Sequence, residues 1–461
     1  MPNSTTQSRP LPRGPKGRPL VGMLPQMRRR PLQFMAELAR THGDAVQVKI
    51  AHLQACLLSH PDLVEEVLVT QNRKFIKPLL LKQAAQVLGN GLLTSDGEFW
   101  LRQRRLAQPA FHRDRIAGYA ELMATFSDQM TDRWRSGQAM DIHEEMMGLT
   151  LQVVARALFG ADVSGQTEAV GRALDLAMQR FTERLSLMRL FDQFPLPRNI
   201  RFRQRQRELD AIIYGMIEAR RKSQAEGDDL LSMLLHAQDT DGSQMTDQQL
   251  HDEVITLFLA GHETTAIALS WTWMLLANHP EAEARLHKEL DRVLGSRPPT
   301  FADIPNLPWT EMVVKESMRL YPPAWRVGRQ ALEDCTIGGY HIPKGMQVVA
   351  SQWVIHRDPR WYARPDDFLP ERWQGDLARQ LPKFAYFPFG GGPRRCIGDE
   401  FAKMEAVLIL AAVARRFRIA LAPNQQIDYF PSITLRPKHG IQVRVEPRIA
   451  APTSVEVAAG L

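Results

Sequence analysis

Phe389-Gly390-Gly391-Gly392-Pro393-Arg394-Arg395-Cys396-Ile397-Gly398 is a glycine-rich stretch that closes on a lone cysteine and leads into an apolar, helix-forming segment. Glycine lets a backbone turn tightly and bring its N–H groups to a side chain. N–H groups aimed at sulfur stabilise a thiolate and tune the metal it holds. Cys396 is therefore a candidate iron ligand, and Arg394 can meet an anionic group nearby. Glycine-rich loops before helices also cradle phosphate, but those close on Gly-Lys-Ser/Thr where this one has Cys-Ile-Gly.

Upstream, Thr246-Asp247-Gln248-Gln249 has the form of a capping box, in which the threonine and the glutamine three residues on satisfy free backbone donors. The spacing predicts a helix from there to Asn278-His279-Pro280, roughly 50 Å long at ~1.5 Å per residue. Its middle, Val254 to Ala260, is apolar nearly all round and so belongs inside the protein. The helix then carries Gly261-His262-Glu263-Thr264-Thr265. Glycine, and hydroxyls that bond the carbonyl one turn back, loosen a helix there and leave room for small molecules. Glu316 and Arg319 share one side of a later helix, and Pro370-Glu371-Arg372-Trp373 follows downstream.

With 44% hydrophobic and 24% charged residues, the 461-residue chain can bury a sizeable core and is neither fibrous nor disordered in composition. Cys56, Cys335 and Cys396 are far apart, which suggests neither a disulfide framework nor a zinc cluster and points to a reducing compartment. The net charge of +7 admits nucleic acid, anionic lipid or an acidic protein as partner. No zinc-finger or aromatic RNA-binding signature supports the first. Residues 1–36 contain no acid and several arginines among prolines, which reads as a solvated basic segment. No uncharged apolar run of about eighteen residues is present, and the start lacks a secretory h-region. Helical spacing fills the middle of the chain, a strand pair is expected over 45–59, and hairpin texture begins near residue 333. No linker divides it. The reading is a single domain over 37–445, with 446–461 as a loose tail.

The cysteine loop, with Phe389, Gly392, Arg394, Cys396 and Gly398 in Phe-x-x-Gly-x-Arg-x-Cys-x-Gly form, resembles the haem-binding loop of the cytochrome P-450 family of haem-thiolate monooxygenases. Ala260-Gly261-His262-Glu263-Thr264-Thr265 resembles that family's Ala/Gly-Gly-x-Asp/Glu-Thr-Thr/Ser signature. Glu316-Ser317-Met318-Arg319 and Pro370-Glu371-Arg372 resemble its Glu-x-x-Arg and Pro-Glu-Arg motifs. The four stand in family order within about Pro10 to Arg444.

The resemblance implies a mainly α (α+β), helix-rich single domain with a small N-terminal sheet, and haem b between the long central helix and the cysteine loop. It makes Cys396 the axial thiolate, a ligand that pushes electron density onto haem iron and favours O–O cleavage. Trp100, Arg104, Arg329 and Arg394 would meet the haem propionates, which a guanidinium fork pairs better than lysine does. Glu263 and Thr264 would relay protons to dioxygen. Glu316, Arg319 and Arg372 would form a buried structural triad, with Trp373 an apolar exchange for phenylalanine. His262 is read as structural or solvent-facing.

Leu93, Phe181, Phe258, Ala260, Ala324 and Val327 would line the substrate pocket, with Leu185 and Met188 beside Phe181 in a lid helix. Nearly all are hydrocarbon, which suits a fatty acid, terpenoid, steroid or carotenoid. Arg326 is the exception, facing a propionate, solvent or a substrate carboxylate. A haem sensor or carrier on the same fold has no need of the Glu263-Thr264 pair, and the peroxide-using branch replaces it with Arg-Pro. The resemblance also implies a cytoplasmic enzyme without a transmembrane anchor. Electrons would come from an acidic ferredoxin or flavodoxin with its reductase, docking on Arg102, Arg105, Arg113, Arg395 and Lys403.

Overall fold

The computed structural model describes residues 10–161, 171, 196–223, 229–238, 242–375 and 377–448. Its principal helices are α1 (Pro31–His42), α2 (Gly97–Ala107), α3 (Ala120–Asp132), α4 (Ile142–Phe159), α5 (Pro197–Lys222), α6 (Asp247–Asn278), α7 (Pro280–Val293), α8 (Pro308–Leu320) and α9 (Asp399–Ala414). The capping box forms as its spacing predicts: Thr246 N donates to Gln249 Oε1 at 2.9 Å, and Gln249 N to Thr246 Oγ1 at 3.3 Å. Pro280 cannot continue the ladder and instead opens α7. Between these signals α6 runs unbroken for 32 residues, so the expected loosening at Gly261–Thr265 does not interrupt it.

Gly261 has a packing reason instead. A Cβ there would lie 2.9 Å from Val154 Cγ2, so glycine marks the close approach of α4 to α6. Apolar residues of α4, α6, α8 and α9 merge into one large core. Among the described residues α6 is the one helix long and apolar enough to cross a membrane, and most of it is buried within the protein.

The strands are β1 (Ala45–Ile50), β2 (Leu53–Leu58), β3 (Phe75–Ile76), β4 (Ala139–Asp141), β5 (Val327–Ala331), β6 (Cys335–Ile337), β7 (Tyr340–Ile342), β8 (Gln347–Ala350), β9 (Phe417–Leu421), β10 (Tyr429–Pro431), β11 (Leu435–Pro437) and β12 (Gln442–Pro447). The main sheet has the order β1-β2-β8-β5-β3, with β2 and β8 parallel and the other pairs antiparallel. It is mixed because β8 comes from a distant part of the chain. β12 lies between β4 and β9, while β6–β7 and β10–β11 are hairpins. The alternation over 45–59 thus becomes the β1–β2 hairpin, with Ala45 opposite Leu58.

The boundary expected after residue 36 falls inside α1. Leu32, Phe34, Met35 and Leu38 pack on Val46, Val48, Ala55 and Leu57 of the sheet. The basic segment is not simply solvated either, because Gln47 N donates to Arg13 O at 3.1 Å and Met23 N to Lys49 O at 2.7 Å. An exposed strand edge offers unpaired backbone groups, and this segment covers them. At the other end β12 continues to Pro447, and Arg448 is paired with Asp291 at 2.9 Å.

Candidate active site

The cysteine loop is shaped by contacts that exclude side chains. Gly390 and Gly392 have φ of +70° and +66°, values that L side chains rarely adopt. A Cβ on Gly392 would stand 1.8 Å from the Leu68 carbonyl oxygen, and one on Gly391 2.2 Å from the Phe384 ring. Gly392→Ala is therefore expected to destabilise the folded protein by about 1–3 kcal/mol, seen as earlier thermal unfolding. An unchanged midpoint would show that the loop yields freely.

The loop closes where Cys396 N donates to Phe389 O at 3.0 Å. Burial pushes the Cys396 thiol up. The Gly398 N–H at the sulfur and the Arg104 and Arg395 guanidiniums pull it back. Protein surrounds this residue, yet it keeps accessible surface, so that surface opens on an interior cleft. Ala260 is likewise exposed midway along the otherwise buried α6, and Thr264, one turn on, is partly so. Leu93, Ala324 and Val327 also keep partial accessibility.

Next to the loop is a concentration of positive charge. Lys82, Arg329 and Arg394 gather round Asp96, which Arg394 reaches at 2.5 Å and Lys82 at 3.7 Å, and the Lys77 backbone N–H donates to the same carboxylate at 3.1 Å. Arg394 stacks over Trp100, 4.2 Å from the ring centre, and donates to Ser95 O at 3.2 Å. Burial first, then the neighbouring Arg394, pushes the Arg329 guanidinium down to about 10 and the Lys77 ammonium to about 6. Lys77 Nζ donates to Leu92 O and Leu93 O at 2.5 Å each. Sequence reasoning missed Lys77, although a single lysine in Phe75-Ile76-Lys77-Pro78-Leu79 is a detectable signal. Arg104 shares a helical face with Trp100 but bonds the cysteine loop, donating to Arg395 O at 2.8 Å.

On α6 the Thr264 hydroxyl bonds Ala260 O at 2.7 Å, the back-bond expected of a threonine inside a helix. Glu263 turns toward the β10–β11 hairpin. Its carboxylate is 1% exposed and accepts from Thr434 Oγ1 at 2.5 Å and Arg436 Nε at 2.6 Å. Phe258 is a correction: it is buried and stacked on Phe159 at 5.4 Å, between α6 and α4. It stands two residues, roughly 200° of helix, from Ala260, so the two cannot face one cleft. His262 is buried rather than solvent-facing, and neither ring nitrogen has a partner among the described residues. Burial pushes it down to about 4, so the ring is neutral at pH 7. Phe181, Leu185, Met188 and the Arg113 side chain lie outside the described residues.

Behind the loop the expected triad is assembled. Glu316 accepts from Arg319 Nε at 2.9 Å, Arg319 Nη2 at 2.8 Å and Arg372 Nε at 2.8 Å. It also accepts from Trp373 Nε1 at 2.9 Å, so the tryptophan is a bonding member and not merely an apolar exchange. Glu405 on α9 was not anticipated. Burial lifts its carboxyl to about 8, beside the Thr265 hydroxyl, so it is mostly protonated at pH 7.

An enclosed cysteine sulfur that keeps accessible surface, with the Arg104 and Arg395 guanidiniums nearby, has the chemistry to hold a soft metal. The sequence matches the family description "Cytochrome P-450" over residues 12–445, and the chain belongs to that family. It is 42% identical to cyclooctatin synthase of Streptomyces melanosporofaciens over 91% of this chain and 92% of that one. Pentalenene oxygenase of Streptomyces avermitilis is 36% identical over 93% of this chain and 96% of its own. The crystal structure of the cytochrome P450DA heme domain superposes with a TM-score of 0.85 at 28% identity, covering 96% of this chain and 98% of that one. The protein is a monooxygenase, and its cofactor is haem b. The residues present fit that group: a soft sulfur donor for iron, small Ala260 on the α6 face, and three cations, Lys82, Arg329 and Arg394, with the Lys77 amine beside them, around one carboxylate, Asp96, to receive two propionates.

Proposed function

We propose that this enzyme inserts one atom of dioxygen into a terpenoid, with Cys396 as the residue whose sulfur would hold the haem iron. The observations that support the reading are the accessible surface of the enclosed Cys396 and of Ala260 and Thr264 on the otherwise buried α6, with partial accessibility at Leu93, Ala324 and Val327, which we read together as one cleft. An apolar cleft selects lipophilic substrates and gives little to a polar metabolite. The relatives narrow the class, for their names specify cyclooctatin, cyclooctat-9-en-7-ol and pentalenene.

Haem with a thiolate ligand supplies dioxygen activation, one oxygen atom going to substrate and the other to water. Lys77, Arg329 and Arg394 would hold the propionates and Trp100 supports Arg394, while Arg104 braces the cysteine loop. Thr264 holds a proton at Oγ1 on the cleft side of α6. Glu263 stands one residue before it but is paired with Arg436, so proton exchange through it requires that arginine to move aside. Thr264→Ala is expected to bind haem and consume electrons as before, with a several-fold larger share lost to hydrogen peroxide. Unchanged coupling would remove Thr264 from proton handling.

Electrons come from an external donor, and we assign this role to an acidic ferredoxin or flavodoxin with its reductase. Arg105 and Arg395 are exposed, although Arg395 pairs with Asp399, and Lys403 with Glu400 at 2.7 Å. A cytoplasmic location suits such donors. The test of the function is turnover with a reduced ferredoxin system, neutral cyclic terpenes and isotopically heavy dioxygen. A product gaining one heavy oxygen atom is expected. Oxidation of small polar compounds only would overturn the substrate class.

A further inference from the structure

We infer that Arg326 is a binding site for a substrate carboxylate, which makes the preferred ligand a lipophilic acid; this rests on the lipophilic-oxygenation reading of the same cleft. Protein encloses the Arg326 side chain, yet the residue keeps partial accessibility, as do its neighbours Ala324 and Val327. Among the described residues its guanidinium has no hydrogen bond and no ion pair, and its one recorded contact is the Trp325 ring at 4.6 Å. The other enclosed arginines of this region each have a polar partner, Arg329 the neighbouring Gly328 carbonyl at 2.8 Å and Arg357 the Asp366 carboxylate at 3.5 Å. Arg319 and Arg372 hold Glu316, Arg357 stacks on Trp353 at 3.5 Å, and Arg394 holds Asp96.

Buried charges are ordinarily paired, because an isolated one keeps its desolvation cost without return. Arginine cannot escape by giving up its proton at neutral pH. Burial brings Arg326 down only to about 10, which leaves it a cation at pH 7. No described residue supplies its partner, and that points to something that enters the cleft.

The propionate cluster is a poor candidate. Arg394 and Asp96 act on both Lys77 and Arg329, whereas burial alone perturbs Arg326 and no charged neighbour contributes. Alternation along β5 separates the positions as well. Arg329 pairs across to Val348 in the body of the sheet, and Arg326 lies just before the strand starts at Val327. The platform under Arg326 is firm. Trp325 is 1% exposed, its indole N–H donates to Ser432 O at 3.1 Å, and its carbonyl accepts from Ser351 Oγ at 3.1 Å and Trp353 N at 3.2 Å. A fixed guanidinium fork matches a carboxylate with two parallel hydrogen bonds. One cation without a second beside it suits a monoacid better than a diphosphate.

The test uses haem-loaded protein and two ligand pairs, abietic acid with its methyl ester and palmitic acid with its methyl ester, titrated by calorimetry and by haem spectrum. The acid of at least one pair should bind roughly 10- to 100-fold more tightly than its ester. Arg326→Gln should erase that difference with ester affinity and haem occupancy unchanged, and Arg326→Lys should retain part of it. Equal acid and ester affinities on both skeletons overturn the site, as does an acid preference that survives Arg326→Gln. Failure of Arg326→Gln to load haem where Arg326→Lys loads it normally also overturns the site and assigns the cation to the propionates. If both abietyl ligands fail but palmitate keeps an Arg326-dependent preference, the terpenoid class falls and the carboxylate site stands.

Discussion

Cys396→His protein is expected to lose the strongly red-shifted Soret band of the reduced carbon monoxide complex, together with its oxygenase activity. The shift is a property of thiolate ligation, and neutral imidazole neither produces it nor pushes comparable electron density onto iron. Cys396 is suited to the anionic form because the Gly398 N–H and the charges of Arg104 and Arg395 act against the burial that raises its pKa. The other two cysteines lack this environment. Cys56 is sealed in the core, where burial pushes its thiol up to about 12, and Cys335 is buried between strands. Cys56→Ser and Cys335→Ser should therefore keep the band. A Cys396→His spectrum like wild type would remove the assignment outright.

The second large effect is structural. Glu316→Ala is expected to cost about 3–5 kcal/mol, a large fraction of a domain's net stability, and to leave little folded, haem-loaded protein. Glu316 and Arg319 are both fully buried, and the carboxylate also accepts from Leu369 N at 3.0 Å. Its removal strands two guanidiniums, an indole and an amide at once, and an unpaired buried charge is worse than none. The guanidinium of Arg319 further ties His356 O at 2.8 Å and Pro365 O at 2.5 Å, the run of chain that leads to the cysteine loop. Trp373→Phe removes a single bond and leaves Arg319 Nε on the same oxygen, so about 1 kcal/mol is expected. Equal thermal midpoints for Glu316→Ala and wild type would show that the cluster is dispensable.

How much could be read in advance depends on the range of the interaction. The capping box, the β1–β2 hairpin and the glycine loop rest on residues a few positions apart, and each formed where its pattern stood. Trp373 was misread because its indole partner, Glu316, is 57 positions away. The boundary near residue 36 was misplaced for a related reason: α1 looks like part of a basic tail until β1 and β2 are present to bury Leu32 and Leu38.

Within the site, residue types announced the chemistry, because few side chains can ligate iron, pair a carboxylate or hold a proton inside an apolar helix. Cys396, Thr264 and Arg394 are candidates on that ground, and the Glu316 ion pairs formed as expected. Direction was not legible. Phe258, Ala260, Glu263 and Thr264 lie within seven consecutive residues, yet packing sends Phe258 to α4 and Glu263 to Arg436 and leaves accessible surface on Ala260 and Thr264. Nor could spacing show that Arg326 is enclosed with no ion pair among the described residues while Arg394 has Asp96. A side chain's chemistry is local to its residue, whereas its burial and its counter-charge are properties of neighbours that the folded chain brings from far away.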